Sequence, residues 1–150
     1  MNHGQIVEIM KMLFKNSPVN FLGVFTSDNT PDAIRVSGFS PCCYIVNTDV
    51  SGGRGKHWVA FFHLSSRSIE FFDSFGRTPA SLGFHLPYIQ RIVHNPVQIQ
   101  RNDSNVCGQH CIYYLIQRSH GHSLKGIIAH LKSKSHADCH VHEFIRKIQK

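Results

Sequence analysis

An α+β fold follows from three features of the chain. An amphipathic helical pattern opens it. Short apolar runs separated by turns fill the middle, and further helical patterns close it. The 150 residues are expected to form one domain, 1–150, long enough to bury a real core.

From Gly4 to Lys15, Ile6, Ile9, Met10, Leu13 and Phe14 recur at helical spacing, and Asn16–Ser17–Pro18 ends the helix. Phe21–Leu22–Gly23–Val24–Phe25 is a short apolar piece. The stretch from Thr26 to Ser40, with Asp28, Asn29, Pro31 and Gly38, predicts a loop with little regular structure. Cys42 to Thr48 reads as a buried strand, with its two adjacent cysteines facing opposite sides. Ser51–Gly52–Gly53–Arg54–Gly55–Lys56 is a flexible loop. His57 to Leu64 and Arg67 to Asp73 form a hairpin about Ser65–Ser66. Both strands are apolar on both faces in places, so they belong in the centre of a covered sheet.

Ser74 to Pro79 is a turn. Tyr88, Ile89, Ile92 and Val93 predict a short helix after Pro87, and Asn95 to Gln100 alternates like a strand. Asn105 to Arg118 is a helix carrying Ile112, Leu115 and Ile116. Ser123 caps a helix over Leu124 to Leu131. Asp138 is read as the cap of the last helix, with Val141, Phe144, Ile145 and Ile148 inward.

Hydrophobic residues at 41% and charged residues at 17% argue against disorder. No apolar run approaches the roughly 18–20 residues of a membrane span. The first residues lack the basic-then-apolar build of a secretion signal. The five cysteines are an odd number and form no disulfide framework, so an intracellular, reducing compartment is expected. A net charge of +7, with twelve histidines besides, suits contact with nucleic acid or another polyanion, but no nucleic-acid-binding motif accompanies it.

The chemistry gathers at Gln100–Arg101–Asn102–Asp103–Ser104–Asn105–Val106–Cys107–Gly108. A polar run opens into a helix with Cys107 at the joint. The unpartnered N–H groups and positive end of a helix favour thiolate over thiol there. A cysteine nucleophile also needs a base, a group to orient that base, and oxyanion donors. Folding the hairpin brings position 57 opposite positions near 73 and 74, so His57 and Asp73 lie side by side at one end of the sheet. Gln100, seven residues before Cys107, offers a side-chain N–H to an oxyanion beside the backbone N–H of Cys107. Gly108 permits close approach to Cys107. Trp58 walls a narrow cleft or serves the core. Cys111, one turn beyond Cys107, is read as a core thiol. The residues from His136 to His142 match no zinc spacing, and no metal site is expected.

His57–Trp58–Val59–Ala60–Phe61, Phe72–Asp73–Ser74–Phe75–Gly76, Gln100 and Cys107–Gly108–Gln109–His110–Cys111 together resemble the adenovirus-type cysteine endopeptidases, the adenain family. Phe21–Leu22–Gly23 and Ile45–Val46–Asn47–Thr48 followed by Gly52–Gly53 extend the resemblance, which covers roughly residues 20 to 115. The chain is more distantly similar to proteases that remove SUMO-type and other ubiquitin-like modifiers. The resemblance implies a papain-like fold with the triad in permuted chain order, its central, mostly antiparallel sheet flanked by helices. It implies that His57 is the base, Asp73 its orienter, Cys107 the nucleophile and Gln100 an oxyanion-hole residue. It further implies cleavage after small residues, Gly-Gly or Gly-X, with Trp58 narrowing the cleft at the substrate; Gly108, from its own place beside Cys107, is the other substrate-binding candidate. Viral or virus-like structural precursors are the expected substrates, and no cofactor is needed for the chemistry. DNA and a short peptide are the activators the resemblance suggests. No cysteine stands between Asp73 and Gln100, which speaks against a disulfide-linked peptide. The rival readings are a protease of ubiquitin-like conjugates and a non-catalytic DNA-binding module of the same fold.

Overall fold

Asn2 sets the start of helix α1 (His3–Leu13) in the computed structural model, which describes residues 1–32, 36, 38–53, 57–65, 67–86 and 91–149. Its side chain accepts from Gln5 N–H, and the Gln5 side chain accepts from Asn2 N–H, both at 2.9 Å. This reciprocal cap satisfies two donors that would otherwise lack partners, and is worth about 1 kcal/mol. Ile6, Ile9 and Met10 bury the inner face of α1.

Five strands follow: β1 (Asn20–Thr26), β2 (Cys42–Asn47), β3 (Trp58–Ser65), β4 (Ser68–Phe72) and β5 (Arg91–His94). They lie side by side in chain order. The two central ladders, β2–β3 and β3–β4, are antiparallel, and the outer ones, β1–β2 and β4–β5, are parallel. The hairpin is therefore central, as its apolar strands required. Its register is shifted between His63 and Ser65, and Ala60 sits opposite Phe72. Continuing that register puts His57 level with Phe75 rather than with 73 or 74.

Both faces of the sheet are covered. Cys43, Ile45, Ala60, Phe62 and Phe72 face a core shared with the helices. Cys42, Tyr44, Val46, Val59, Phe61, Ile69 and Phe71 face a second core, closed by Val36, Leu82, Phe84 and Leu86 among others. Strict alternation thus underlies what reads as a continuous apolar run.

Helices α2 (Cys107–Ser119), α3 (Leu124–Lys132) and α4 (Ala137–Ile148) build the helical layer. Phe72 and Tyr114 stack at 4.7 Å. The Tyr114 hydroxyl donates to Glu70 at 2.7 Å, and Arg118 grips both oxygens of that carboxylate at 2.8 and 2.9 Å. The fork satisfies a carboxylate that the low-dielectric core would otherwise penalise heavily. These contacts fix α2 against β4 and so fix where its first residue, Cys107, stands. Ser123 caps α3 by accepting from Gly126 N–H at 3.0 Å.

Several expectations are corrected. Ile92 and Val93 lie in strand β5, not in a helix; the rest of that expected helix, 87–90, falls outside the described residues. So short an apolar run has no periodicity of its own, and pairing with β4 decides its state. Residues 95–100 form no strand. Pro96 has no N–H for a ladder, and the Asn95 side chain takes over backbone pairing: it donates to Asp73 O at 2.7 Å and accepts from Asp73 N–H at 3.1 Å. The cap of α4 is His136, while Asp138 lies in the first turn. Within 26–40, read as loop, Val36, Gly38 and Phe39 are helical; 33–35 and 37 fall outside the described residues, as do 54–56 of the glycine loop.

Candidate active site

His57 immediately precedes β3, and its carbonyl accepts from Thr48 N–H at 2.8 Å. Phe75 packs on its ring at 4.9 Å. Its Nε2 lies 2.5 Å from Asp73 Oδ1. Because an ionised carboxylate only accepts, Nε2 carries the hydrogen, and Nδ1 is the nitrogen left for another partner.

Asp73 ends the β4 side of the hairpin and is fully buried. Phe75 N–H donates to Oδ1 at 3.1 Å, and Arg77 donates to Oδ2 through its backbone N–H at 3.1 Å and its side-chain Nε at 2.8 Å. Burial alone would raise its pKa. The bonds from His57 and Arg77 prevail and bring it to about 2. The carboxylate is therefore a permanent anion at neutral pH.

Cys107 is the first residue of α2, behind a Val106 cap that offers no side-chain acceptor. Burial pushes its thiol pKa up. The His57 hydrogen bond, the Trp58 and Gly108 backbone N–H groups and the nearby imidazole charge outweigh burial, leaving the pKa below its ordinary value. For His57, burial works downward, but the hydrogen bonds with Asp73 and Cys107 raise the pKa overall. Each group thus stabilises the charged form of the other, the condition for a thiolate–imidazolium pair. Burial drives Cys43 and Cys111 well above their ordinary values. Cys111 is wholly buried, as expected for a core thiol.

Gln100 is 1% exposed and lies in the irregular segment before the Cys107 loop. Its Oε1 accepts from the Ser74 hydroxyl at 2.6 Å, and its Nε2 donates to Ser104 O at 3.0 Å. Ser74 O also accepts from the N–H groups of Ile99 and Gln100 at 2.8 and 3.0 Å. Ser74 is adjacent to Asp73, so one short turn holds both the carboxylate and the amide. With Oε1 occupied by Ser74, the NH2 end faces the Cys107 loop, and one of its two hydrogens has no acceptor among the described residues.

A cleft of about 430 Å³ opens beside Cys107, lined by His57, Trp58, Gly52 and Gly53 among others. The Trp58 indole N–H donates to Met1 O at 3.1 Å, which fixes the ring as a wall. Gly108 is buried beneath that wall; a Cβ there would come within 3.3 Å of Trp58 Cδ1 and 3.4 Å of Ile6. The structure thus bonds His57 to Asp73, sets His57 and Cys107 in one cleft, ties Gln100 to the turn of Asp73 through Ser74, and sets Gly108 under Trp58.

Ser74, Arg77 and Asn95 were not singled out from the sequence. Ser74 stands inside the Phe72–Gly76 motif, where its place beside Asp73 was an available signal. Asn95 carried none, because its role is defined only by a partner 22 residues away.

The sequence matches no family model and no curated protein. Solved structures do match. Two structures of the ASFV pS273R protease, one of them of its selenomethionine form, superpose with a TM-score of 0.60 and 22% identity over 85% of this chain. This chain spans 60–61% of that protease's length. The central domain of Lpg1148, an uncharacterised protein from Legionella pneumophila, matches with a TM-score of 0.50 and 14% identity, over 99% of this chain and 98% of that domain. The fold is that of the papain-like cysteine proteases, an α+β arrangement with a five-stranded mixed sheet and flanking helices. Among the described residues, no helix is long and apolar enough to cross a membrane.

Proposed function

We propose that this chain is a single-domain cysteine endopeptidase of the adenovirus type that cleaves after Gly-Gly or Gly-X. The observation that carries this reading is Cys107 at the start of α2, lining one cleft with a His57 whose Nε2 is bonded to the buried Asp73.

The Cys107 thiolate attacks the scissile carbonyl, forming the C–S bond. The oxyanion takes hydrogen bonds from the Cys107 backbone N–H and from Gln100 Nε2. The C–N bond then breaks as protonated His57 gives its Nδ1 hydrogen to the leaving amine, leaving a thioester. Neutral His57 next takes a proton from water, whose oxygen attacks the thioester. The C–S bond breaks, the acid product departs, and the thiolate–imidazolium pair is restored. Throughout, Asp73 holds the imidazole and stabilises its cation. Trp58 narrows the cleft and favours residues without side chains before the cut.

Maturation of viral or virus-like structural precursors is the role proposed, in keeping with the likeness to a viral protease. The test is hydrolysis of a fluorogenic Leu-X-Gly-Gly peptide beside Gly-Gly substrates built on ubiquitin and on SUMO, with and without DNA. Mass mapping identifies the new termini. Cleavage of the peptide after Gly, abolished by Cys107→Ala, is expected. Cleavage restricted to the ubiquitin-like substrates would move the enzyme to the deconjugating branch. DNA binding without cleavage of anything would leave only a binding module.

A further inference from the structure

We infer that Asp138 is a positioning residue that sets the separation between Gln100 and Cys107; the inference rests on the protease reading above. Its two carboxylate oxygens are divided between two segments. Oδ2 accepts from Arg101 N–H at 3.1 Å, and Oδ1 accepts from His110 Nε2–H at 2.8 Å. Arg101 directly follows Gln100. His110 lies three residues after Cys107, on the same helical turn. One side chain from α4 therefore holds both ends of the span that runs from the oxyanion-hole amide to the nucleophile.

That span needs an external hold. Arg101, Asn102, Asp103 and Asn105 are exposed, while Ser104 and Val106 are half-buried. Little apolar burial fixes them, so their backbone takes its position from hydrogen bonds. From the preceding segment, Gln100 Nε2 reaches Ser104 O, and the exposed Gln98 reaches Gln100 O at 2.8 Å and Asn102 Oδ1 at 2.6 Å through its Nε2. Asp138 supplies the hold from a different element, α4. A carboxylate in the first turn of a helix is common for reasons of helix charge alone. That explanation requires neither a buried imidazole nor a loop N–H as partner, and Asp138 has both.

His110 makes a firm anchor. It is wholly buried, and burial lowers its pKa despite the opposing pull of Asp138, so it stays neutral with one N–H committed to the carboxylate. α4 is itself fixed, since Val141 and Ile145 are buried in the core that also holds Cys111 and Ile112 of α2. Core packing is thereby transmitted to the loop over the site.

The test compares wild type, Asp138→Ala, Asp138→Asn, Gln100→Ala and the Gln100→Ala/Asp138→Ala double variant. It measures kcat and KM on a Gly-Gly peptide, the iodoacetamide rate at Cys107, and hydrogen exchange at the Arg101 amide. Asp138→Ala is expected to lower kcat roughly tenfold with little change in KM. Cys107 alkylation should stay within about twofold, because that reaction uses the His57 pair but no oxyanion hole. The Arg101 amide should exchange faster, and the double variant should be no slower than Gln100→Ala alone. Asp138→Asn should recover only part of the loss: its carbonyl accepts from Arg101 N–H, but its NH2 can pair with His110 only if the imidazole hydrogen moves to the buried Nδ1, which has no acceptor among the described residues. If Asp138→Ala does not fold, Asp138→Ser, too short to span both partners, is expected to give the same pattern. Unchanged kcat in the truncated variants of an active wild type overturns the inference and leaves the protease reading standing. So does a parallel fall in kcat and alkylation, which marks general damage. A wild type that cleaves no substrate removes the protease reading and the inference with it.

Discussion

Ser74 donates its hydroxyl hydrogen to Gln100 Oε1 over 2.6 Å, and both side chains are buried. The amide is thereby oriented before any substrate arrives. In the proposed reaction, a donor oriented in advance costs no reorganisation when the oxyanion forms, which is where its advantage over water lies.

Gln100→Ala should lower kcat by roughly 10²- to 10³-fold, the usual effect of deleting one oxyanion donor. Ser74→Ala keeps the amide but frees it to rotate, and a smaller fall of roughly tenfold is expected. In both variants Cys107 should still be alkylated at the wild-type rate. Steady-state kinetics with parallel alkylation checks this.

Asp73→Asn removes the anion that holds His57 while keeping the side chain's size. A fall in kcat/KM of roughly 10²- to 10⁴-fold is expected. The variant also removes the carboxylate charge, and with it the charge-assisted strength of the bond, that raises the His57 pKa. The imidazolium should then lose its proton at lower pH, and Cys107 alkylation near pH 6 should slow. A pH–rate profile of the variant beside wild type makes the comparison.

Gly76→Ala tests the turn that carries both Asp73 and Ser74. Gly76 has φ +74°, and a Cβ there would lie 2.6 to 2.8 Å from backbone atoms of Val97 and Gln98. Those atoms belong to rigid main chain leading to Gln100. The substitution should destabilise the fold by more than about 1 kcal/mol, measured by urea unfolding, and should lower kcat as the 95–100 segment shifts.

His63 gives the fold an acid-sensitive element away from the site. It is wholly buried beside Tyr44, whose hydroxyl lies 2.9 Å from its Nε2, and burial lowers its pKa from 6.5 to about 4. The unfolded chain takes up this proton near pH 6.5, whereas the folded chain refuses it until about pH 4. Stability from this residue is therefore complete above the unfolded value and falls as pH drops through that window. Between pH about 7.5 and about 5 the loss should be roughly 2 kcal/mol. His63→Gln, which retains a partner for Tyr44, should flatten that part of the urea-unfolding profile.

The arrangement of the candidate site was legible in the sequence where local pattern determined geometry. The hairpin signalled itself through two apolar runs and a turn, so His57 and Asp73 could be brought together, although the hairpin closes with Ser65 opposite Ser68, later than a turn at Ser65–Ser66, which moved the register near the site. Cys107 at the head of α2 was equally plain, because a polar run and an amphipathic pattern meet there. Ser123 revealed its helix by the same local logic. The supporting residues were not legible. Asn95 replaces a strand partner with its own amide, so the 95–100 segment alternates like a strand without being one. Asp138 has the composition of a helix cap, and only tertiary packing turns it toward Arg101 and His110. β5 shows the same limit, since four residues contain too little periodicity to declare a strand before β4 pairs with them.

The central claim, that His57 holds Cys107 as a ready nucleophile, is tested most directly by the rate at which iodoacetamide modifies Cys107 from pH about 4 to about 10. Peptide mass mapping would follow Cys107 beside the exposed Cys139 in the same sample. The predicted result is a Cys107 rate that exceeds that of Cys139 at neutral pH, persists on the acid side, and collapses to an ordinary thiol profile in His57→Ala. A wild-type profile in which Cys107 reacts only as pH rises toward the ordinary thiol value of 9.0, unchanged by His57→Ala, would contradict it.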